Sequence, residues 1–385
     1  MESFLFKCPT KIIYGTGKAC HIDEILKDLS CKKVLVVTDK VIEKTESFIK
    51  MTEALKTGGV DFGVYSDTQP EPPIEVIDEA AAMLRASDYE GIIAVGGGSP
   101  IDTSKAIAML KTNDGSARDY MFGGSKTVVN PPLPLICVPT TAGSGSEVTA
   151  ASVISDNKNK IKLSITSELI MPRATVIDPL MQVGMPMKIT ASTGMDALTH
   201  AIEAYTSLDA NPMSDMYAVK AMELISGSIR TAAYHPTNLE ARGNMALASV
   251  LAAAAFVNGG LGAVHGISQA IGGIAHVPHG VANSMMLPFV MEVNVKGNYK
   301  KFAHIAQILG ESTEGLSDAE AALKSINAVK RMAVDLQIPD RLSKVQVTKD
   351  MFDTIIKGTM EYRLLRQNPV PFTPEIVKDI LEKAY

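Results

Sequence analysis

Two rhythms of hydrophobic and polar positions divide the chain. Over roughly the first 180 residues, short apolar runs rich in β-branched side chains alternate with stretches of helical period. Strand-like runs fall at 34–37, 61–65, 91–95 and 135–138, and helical patterns at 41–56, 73–86 and 99–111. The 73–86 pattern carries its prolines at the start, where a helix tolerates them. Strands alternating with helices predict a parallel sheet with covered faces. Beyond Gly184 the texture changes. Long patterns rich in Ala, Met and Leu cover 191–207, 213–234 and 239–258, and strand signals are sparse. The expected organisation is an α/β domain over residues 1–184 and an all-helical domain over 185–385, divided near Gly184-Met185-Pro186. No internal repeat or low-complexity segment interrupts it.

Composition narrows the function classes. The chain has 385 residues, 46% of them hydrophobic and 21% charged, with a net charge of −5. That is a globular composition with no block of clustered Lys and Arg, so a nucleic-acid partner is not expected. Cys8, Cys20, Cys31 and Cys137 show no C-x-x-C spacing, which argues against a redox pair or a thiolate zinc site. Scattered thiols fit a reducing cytoplasm. Residues 1–15 carry Lys7 and Lys11 without the long apolar run of a signal peptide. The longest apolar stretch, 245–257, is too short to span a bilayer and ends at Asn258-Gly259-Gly260, so it reads as a buried core helix with no membrane role.

Candidate chemistry begins at Gly96-Gly97-Gly98-Ser99, between a strand and a helix. Glycines let the backbone approach a phosphate, and the free N–H groups of a helix start attract an anion. Ser99 and Asp102 also fit a capping box, so a tight, well-capped turn is the competing account. The G-x-G-x-x-G fingerprint is absent. A second loop, from Pro139-Thr140-Thr141 through Ser144 to Glu147, is rich in hydroxyls and backbone donors and follows the strand ending at Val138. It belongs at the same carboxyl edge, where ligands of open α/β sheets bind. Asp39, two residues past the first strand, suits a ribose diol and disfavours a 2′-phosphate, favouring NAD over NADP; a turn or cap role is the alternative.

Asp196 and His200 stand four apart in a helical pattern and so share one face. Alone the pair is weak. The segment 262–280, nearly free of charge, then adds His265, His276 and His279. Histidines in such surroundings are either buried with partners or metal ligands. One carboxylate with several imidazoles suits a divalent first-row ion, and four protein ligands leave positions for a substrate.

These motifs, together with Gly194 through Ala204 and the run from His265 to Pro278-His279-Gly280-Val281-Ala282-Asn283, resemble the iron-containing (group III) alcohol dehydrogenase family along essentially the whole chain. Lactaldehyde reductases and 1,3-propanediol dehydrogenases are similar members. The resemblance implies a Rossmann-like, dehydroquinate-synthase-like α/β domain ahead of the helical one, with a cleft between them. It implies NAD(H), and one Fe²⁺ or Zn²⁺ on Asp196, His200, His265 and His279. For the dinucleotide it implies Asp39, Gly96, Gly97, Gly98, Ser99, Asp102, Thr140, Thr141, Ser144, Lys162 and Leu180. A homodimer or larger homo-oligomer acting on a small alcohol or aldehyde is also implied. Many members carry a second His four residues after the His265 position; here Gln269 stands there and cannot shuttle protons as imidazole does. Gln269 as an orienting group and His276 as a proton path are the catalytic candidates. Arg363 and Arg366 offer a site for a carboxylated or sulfonated aldehyde, or are surface arginines. A dehydroquinate-synthase-like metal lyase and a non-catalytic scaffold are the rival function classes.

Overall fold

A computed structural model describes residues 3–159 and 161–385. They fall into two compact units. One comprises Cys8–Thr141 and Gly145–Gly184; the other comprises Met185–Tyr385 with the N-terminal residues through Lys7 and the short stretch Ala142–Ser144.

The first unit is built on β1 (Lys11–Tyr14), α1 (Ile22–Asp28), β2 (Lys33–Val37), α2 (Glu46–Thr57), β3 (Asp61–Tyr65), α3 (Ile74–Arg85), β4 (Gly91–Gly96), α4 (Gly98–Thr112), α5 (Ala117–Tyr120), β5 (Leu135–Pro139), β6 (Ala151–Asp156), β7 (Ile161–Thr166) and β8 (Ala174–Ile177). Six strands form one parallel sheet in the order β1-β8-β5-β4-β2-β3, and β6 and β7 form a separate antiparallel pair. The central strands β4 and β5 are buried along their whole length. That is the continuous apolar reading expected of a parallel strand covered on both faces. Two apolar clusters line the opposite faces of the sheet; Leu35 and Val37 of β2 join one, and Val34 and Val36 join the other.

From β2 the chain passes to β3 on one side, then returns to β4 on the other. The strand order therefore reverses between β2 and β4, the kind of place where open α/β sheets bind ligands beyond their carboxyl ends. One difference from the sequence pattern lies just past β2. The expected helix at 41–56 is split into a 3₁₀ turn, Ile42–Lys44, and α2, with Thr45 between them. Thr45 is extended, and its hydroxyl caps α2 by accepting from the Phe48 N–H at 3.3 Å.

The second unit is helical: α6 (Met187–Thr206), α7 (Pro212–Tyr234), α8 (Leu239–Gly259), α9 (Ala263–Ala275), α10 (His279–Asn294), α11 (Tyr299–Ile308), α12 (Asp318–Asp335), α13 (Phe352–Met360) and α14 (Pro374–Ala384). The apolar stretch 245–257 lies within α8, most of it buried in one large core shared with α6, α7, α9 and α10. Alanines 218, 221, 248, 252 and 255 are among its fully buried members, and small side chains of this kind let neighbouring helices approach closely. Among the described residues no single helix is long and apolar enough to cross a membrane.

Candidate metal centre

Helix α6 carries Asp196, His200 and Glu203, spaced four and three apart and therefore on one face. All three are about 4% exposed. His265 sits in the first turn of α9 and is buried, whereas His279 opens α10 directly after Pro278 and keeps 40% of its side chain exposed. Proline at the N-cap and histidine at the first helical position fix how the imidazole leaves α10.

Close approach of α10 to α6 depends on Gly280. A Cβ there would lie 2.6 Å from the Ser192 carbonyl oxygen, so only glycine fits. With the helices this close, one ligand atom each from Asp196, His265 and His279 lies within 4.8 Å of the others. Two ligands about 2.1 Å from a common ion are at most about 4.2 Å apart, so a small contraction closes the set.

His200 is adjacent rather than inside that compact group. Its ring stacks on His265 with centroids 4.6 Å apart, and its Nδ1 is buried without a hydrogen-bond partner. Burial lowers its pKa to about 3 against the opposing pull of Asp196, so the imidazole is neutral and has a lone pair to give. Burial alone would raise the Asp196 carboxyl, but His200, His279, His265 and the Asn283 amide together bring it below its ordinary value. A buried carboxylate beside the neutral His200 imidazole and two further histidines fits a divalent first-row cation.

Two groups at the centre escaped sequence reasoning. Asn283, fully buried and one turn after His279 on α10, places its amide nitrogen 2.6 Å from Asp196 Oδ1, 3.0 Å from His279 Nε2 and 3.1 Å from His265 Nε2. An amide has two hydrogens for these three neighbours, and its own Oδ1 is buried without a partner. Glu203 holds His265 from the other side, with Oε2 accepting from Nδ1 at 2.5 Å. The signal for both was helical spacing from a recognised ligand: four beyond His279, three beyond His200.

The catalytic candidates separate. Gln269 is half-buried on α9, one turn after His265, and its amide has no hydrogen-bond partner among the described residues. His276 is exposed at the C-cap of α9 in a left-handed conformation, φ 52°.

In the sheet unit, most of the candidate dinucleotide residues gather at one edge. Asp39 follows β2, Gly96 to Ser99 join β4 to α4, Thr140 and Thr141 follow β5, and Leu180 follows β8. The Thr140 N–H donates to the Gly96 carbonyl at 3.0 Å, tying the two loops together. Ser144 is half-buried on the second loop. Lys162, on β7, is ion-paired with Glu71, whose backbone N–H donates to Ser99 Oγ at 3.2 Å.

The Ser99–Asp102 capping box does not form. α4 begins at Gly98 with Gly97 as its N-cap and no side-chain cap. Asp102 instead turns into the protein, accepting from Ser146 Oγ at 2.5 Å and the Val153 N–H at 3.1 Å. Lys105, fully buried on the same helix, donates to Ser146 Oγ, Thr149 Oγ1 and the Ala151 carbonyl. The pair thus anchors the second loop beside the first. Asp39 shows the turn chemistry: its Oδ1 accepts the Val41 and Ile42 N–H groups at 2.8 and 2.9 Å.

Known proteins match this arrangement over the whole chain. Residues 9–179 match the iron-containing alcohol dehydrogenase family, and residues 190–385 match the C-terminal part of the Fe-containing alcohol dehydrogenase family. The chain is 38% identical to the 1,3-propanediol dehydrogenase of Citrobacter freundii over 384 residues, 99% of either chain. A crystal structure of a 1,3-propanediol oxidoreductase superposes with a TM-score of 0.96 at 36% identity, covering 100% of both chains. A sulfoacetaldehyde reductase from Bifidobacterium kashiwanohense, solved in complex with NAD⁺, superposes at 0.89 with 30% identity, covering 100% of this chain and 99% of that one. The chain therefore belongs to the iron-containing alcohol dehydrogenase family, as an NAD-dependent, metal-containing alcohol dehydrogenase.

Proposed function

We propose that the chain interconverts a small primary alcohol and its aldehyde with NAD(H), running as an aldehyde reductase, with Asp196, His200, His265 and His279 holding Fe²⁺ or Zn²⁺. The observation that carries the ligand assignment is the convergence of Asp196, His265 and His279 from three helices onto one small volume. When bound, the metal supplies Lewis-acid polarisation of the substrate oxygen, and the nicotinamide supplies the hydride.

The chain's own part is positioning. Asp196 brings one negative charge into a dry site. His200 remains neutral in it, which keeps its nitrogen available as a donor. Gln269 is offered as the orienting group, because it has donor and acceptor capacity, no protein partner, and a place one turn from His265 on the same helix. For the dinucleotide, the glycine turn at 96–98 supplies unobstructed backbone. The hydroxyls of Ser99, Thr140 and Thr141 supply donors and acceptors at the same edge.

A second reading, reduction of an acidic aldehyde, is favoured by Arg363 and Arg366. Both are exposed, and neither has an ion-pair partner among the described residues. The resemblance to a sulfoacetaldehyde reductase points the same way.

The test is NADH oxidation, followed by absorbance, on a panel of short neutral and acidic aldehydes. Each is run with metal-stripped protein and again after adding Fe²⁺ or Zn²⁺. Metal-dependent turnover of neutral aldehydes is expected. Preference for acidic ones, lost in Arg363→Ala or Arg366→Ala, selects the second reading. Bound NADH without turnover on any aldehyde overturns both and returns the lyase or scaffold. His265→Ala separately tests the ligand set: it should abolish metal retention and turnover together.

A further inference from the structure

We infer that Glu203 is a positioning residue that fixes His265 as an Nε2 ligand and fastens the start of α9 to the helix bearing Asp196 and His200. The inference rests on the metal-centre reading above and assigns a role to a residue outside the ligand set.

The start of α9 has no side-chain cap of its own. Its N-cap is Gly262, which has no side chain, and the first donors of the helix must find acceptors elsewhere. They find them on distant segments. The Leu261 N–H donates to Gln367 Oε1 at 3.3 Å, the Ala263 N–H to Asn368 Oδ1 at 3.0 Å, and the Val264 N–H to Glu203 Oε1 at 2.7 Å. A Cβ at Gly262 would lie 2.6 Å from Asn368 Oδ1 and 3.0 Å from Glu203 Oε1, so the glycine is what admits these acceptors.

Glu203 then uses its second oxygen on the next residue, with Oε2 2.5 Å from His265 Nδ1. The two oxygens of one carboxylate thus hold consecutive residues, a backbone N–H and an imidazole N–H. A carboxylate is an acceptor at both oxygens, so it requires the His265 proton on Nδ1 and leaves the Nε2 lone pair facing Asp196 and His279. Glu203, His265 and the neighbouring backbone are buried, which makes this geometry the only low-cost one for the histidine.

Glutamine at 203 separates these roles. With its carbonyl toward Val264, its NH₂ faces His265 Nδ1 and demands the opposite tautomer, with the proton on Nε2. With the amide flipped, its NH₂ opposes the Val264 N–H. Neither orientation serves both partners, although the side chain keeps its size.

The experiment compares wild type, Glu203→Gln and His265→Ala as metal-free full chains. It measures Zn²⁺ affinity by competition with a chromophoric chelator and records the visible absorption of the Co²⁺-substituted forms, with thermal melting as a fold control. Glu203→Gln is expected to bind Zn²⁺ about 10- to 100-fold more weakly, the usual cost of losing a group that orients a ligand, and to change the Co²⁺ bands. Affinity within threefold of wild type with unchanged bands overturns the inference. Should His265→Ala also bind normally, the ligand reading itself fails; loss in His265→Ala alone rejects only the role of Glu203. A measurement independent of variant folding is long-range ¹H–¹⁵N correlation of imidazole-labelled, metal-free wild type. The expected His265 proton is on Nδ1; a proton on Nε2 overturns the inference.

Discussion

Gly280→Ala tests whether the metal centre is set by how closely two helices approach. A Cβ at 280 would lie 2.6 Å from the Ser192 carbonyl oxygen and 3.0 Å from its carbon, where ordinary contact begins at 3.4 Å. The obstacle is the backbone of α6, which cannot rotate aside as a side chain could. The first turn of α10 must retreat by about 0.8 Å (3.4 − 2.6). His279 is the adjacent residue and retreats with it. Metal–ligand distances hold to about 0.2 Å, so the displacement exceeds the tolerance several-fold. Overpacking of this size costs about 1–3 kcal/mol, partly offset by the lower chain entropy of alanine in the unfolded state. The assay is chelator competition for Zn²⁺ on a variant shown by circular dichroism and melting to be folded. A loss of at least tenfold in affinity is expected. A folded Gly280→Ala chain with wild-type affinity would refute the idea that this contact sets the site.

Three further predictions address other parts of the molecule. Burial raises the Glu147 carboxyl to about 7, so the folded chain holds a proton that the unfolded chain gives up above about 4.5; stability contributed there falls as pH rises from about 4.5 through 7, and Glu147→Gln should remove that slope and stabilise the chain by roughly 3 kcal/mol near pH 8, read as the pH dependence of urea midpoints, with an unchanged slope counting against it. His276 caps α9 in a left-handed conformation that glycine adopts freely; His276→Gly should gain about 1 kcal/mol and raise Tm, and an unchanged or lower Tm would contradict the cap assignment, while the pH profile of kcat reads any proton role. Zn²⁺ added to stripped protein at a thousandfold excess over Kd should add about 4 kcal/mol of stability, an effect absent in His265→Ala; equal stabilisation of both would mean the ion binds elsewhere.

Elements whose own sequence settles their conformation were legible. β2, β4 and β5 are β-branched runs buried on both faces, and α6, α7 and α8 are long helical patterns. β1 and β8 passed unread because four residues, KIIY and ATVI, are too few for a period to show; tertiary pairing with each other makes them strands. The β6–β7 pair likewise depends on its partner. At the metal centre, Asp196 and His200 were visible as a helical pair, and His265 and His279 as imidazoles in an apolar run. Glu203 was missed despite standing three beyond His200, because a helical glutamate normally faces water and its partner His265 lies 62 positions away. Lys105 was missed for the same reason; its three acceptors lie 41 to 46 positions ahead.

The borrowed capping of α9 also bears on the order of assembly. Asn368 lies 105 positions beyond the Ala263 N–H it receives, and its amide pairs reciprocally with Asn294 at the end of α10. A nascent chain that has emerged only through α10 therefore presents every candidate ligand and Glu203, but lacks the acceptors for the Leu261 and Ala263 N–H groups. The start of α9 is thus completed only late in chain growth. A released chain truncated before residue 367 should hold the ion more weakly than one truncated after 370.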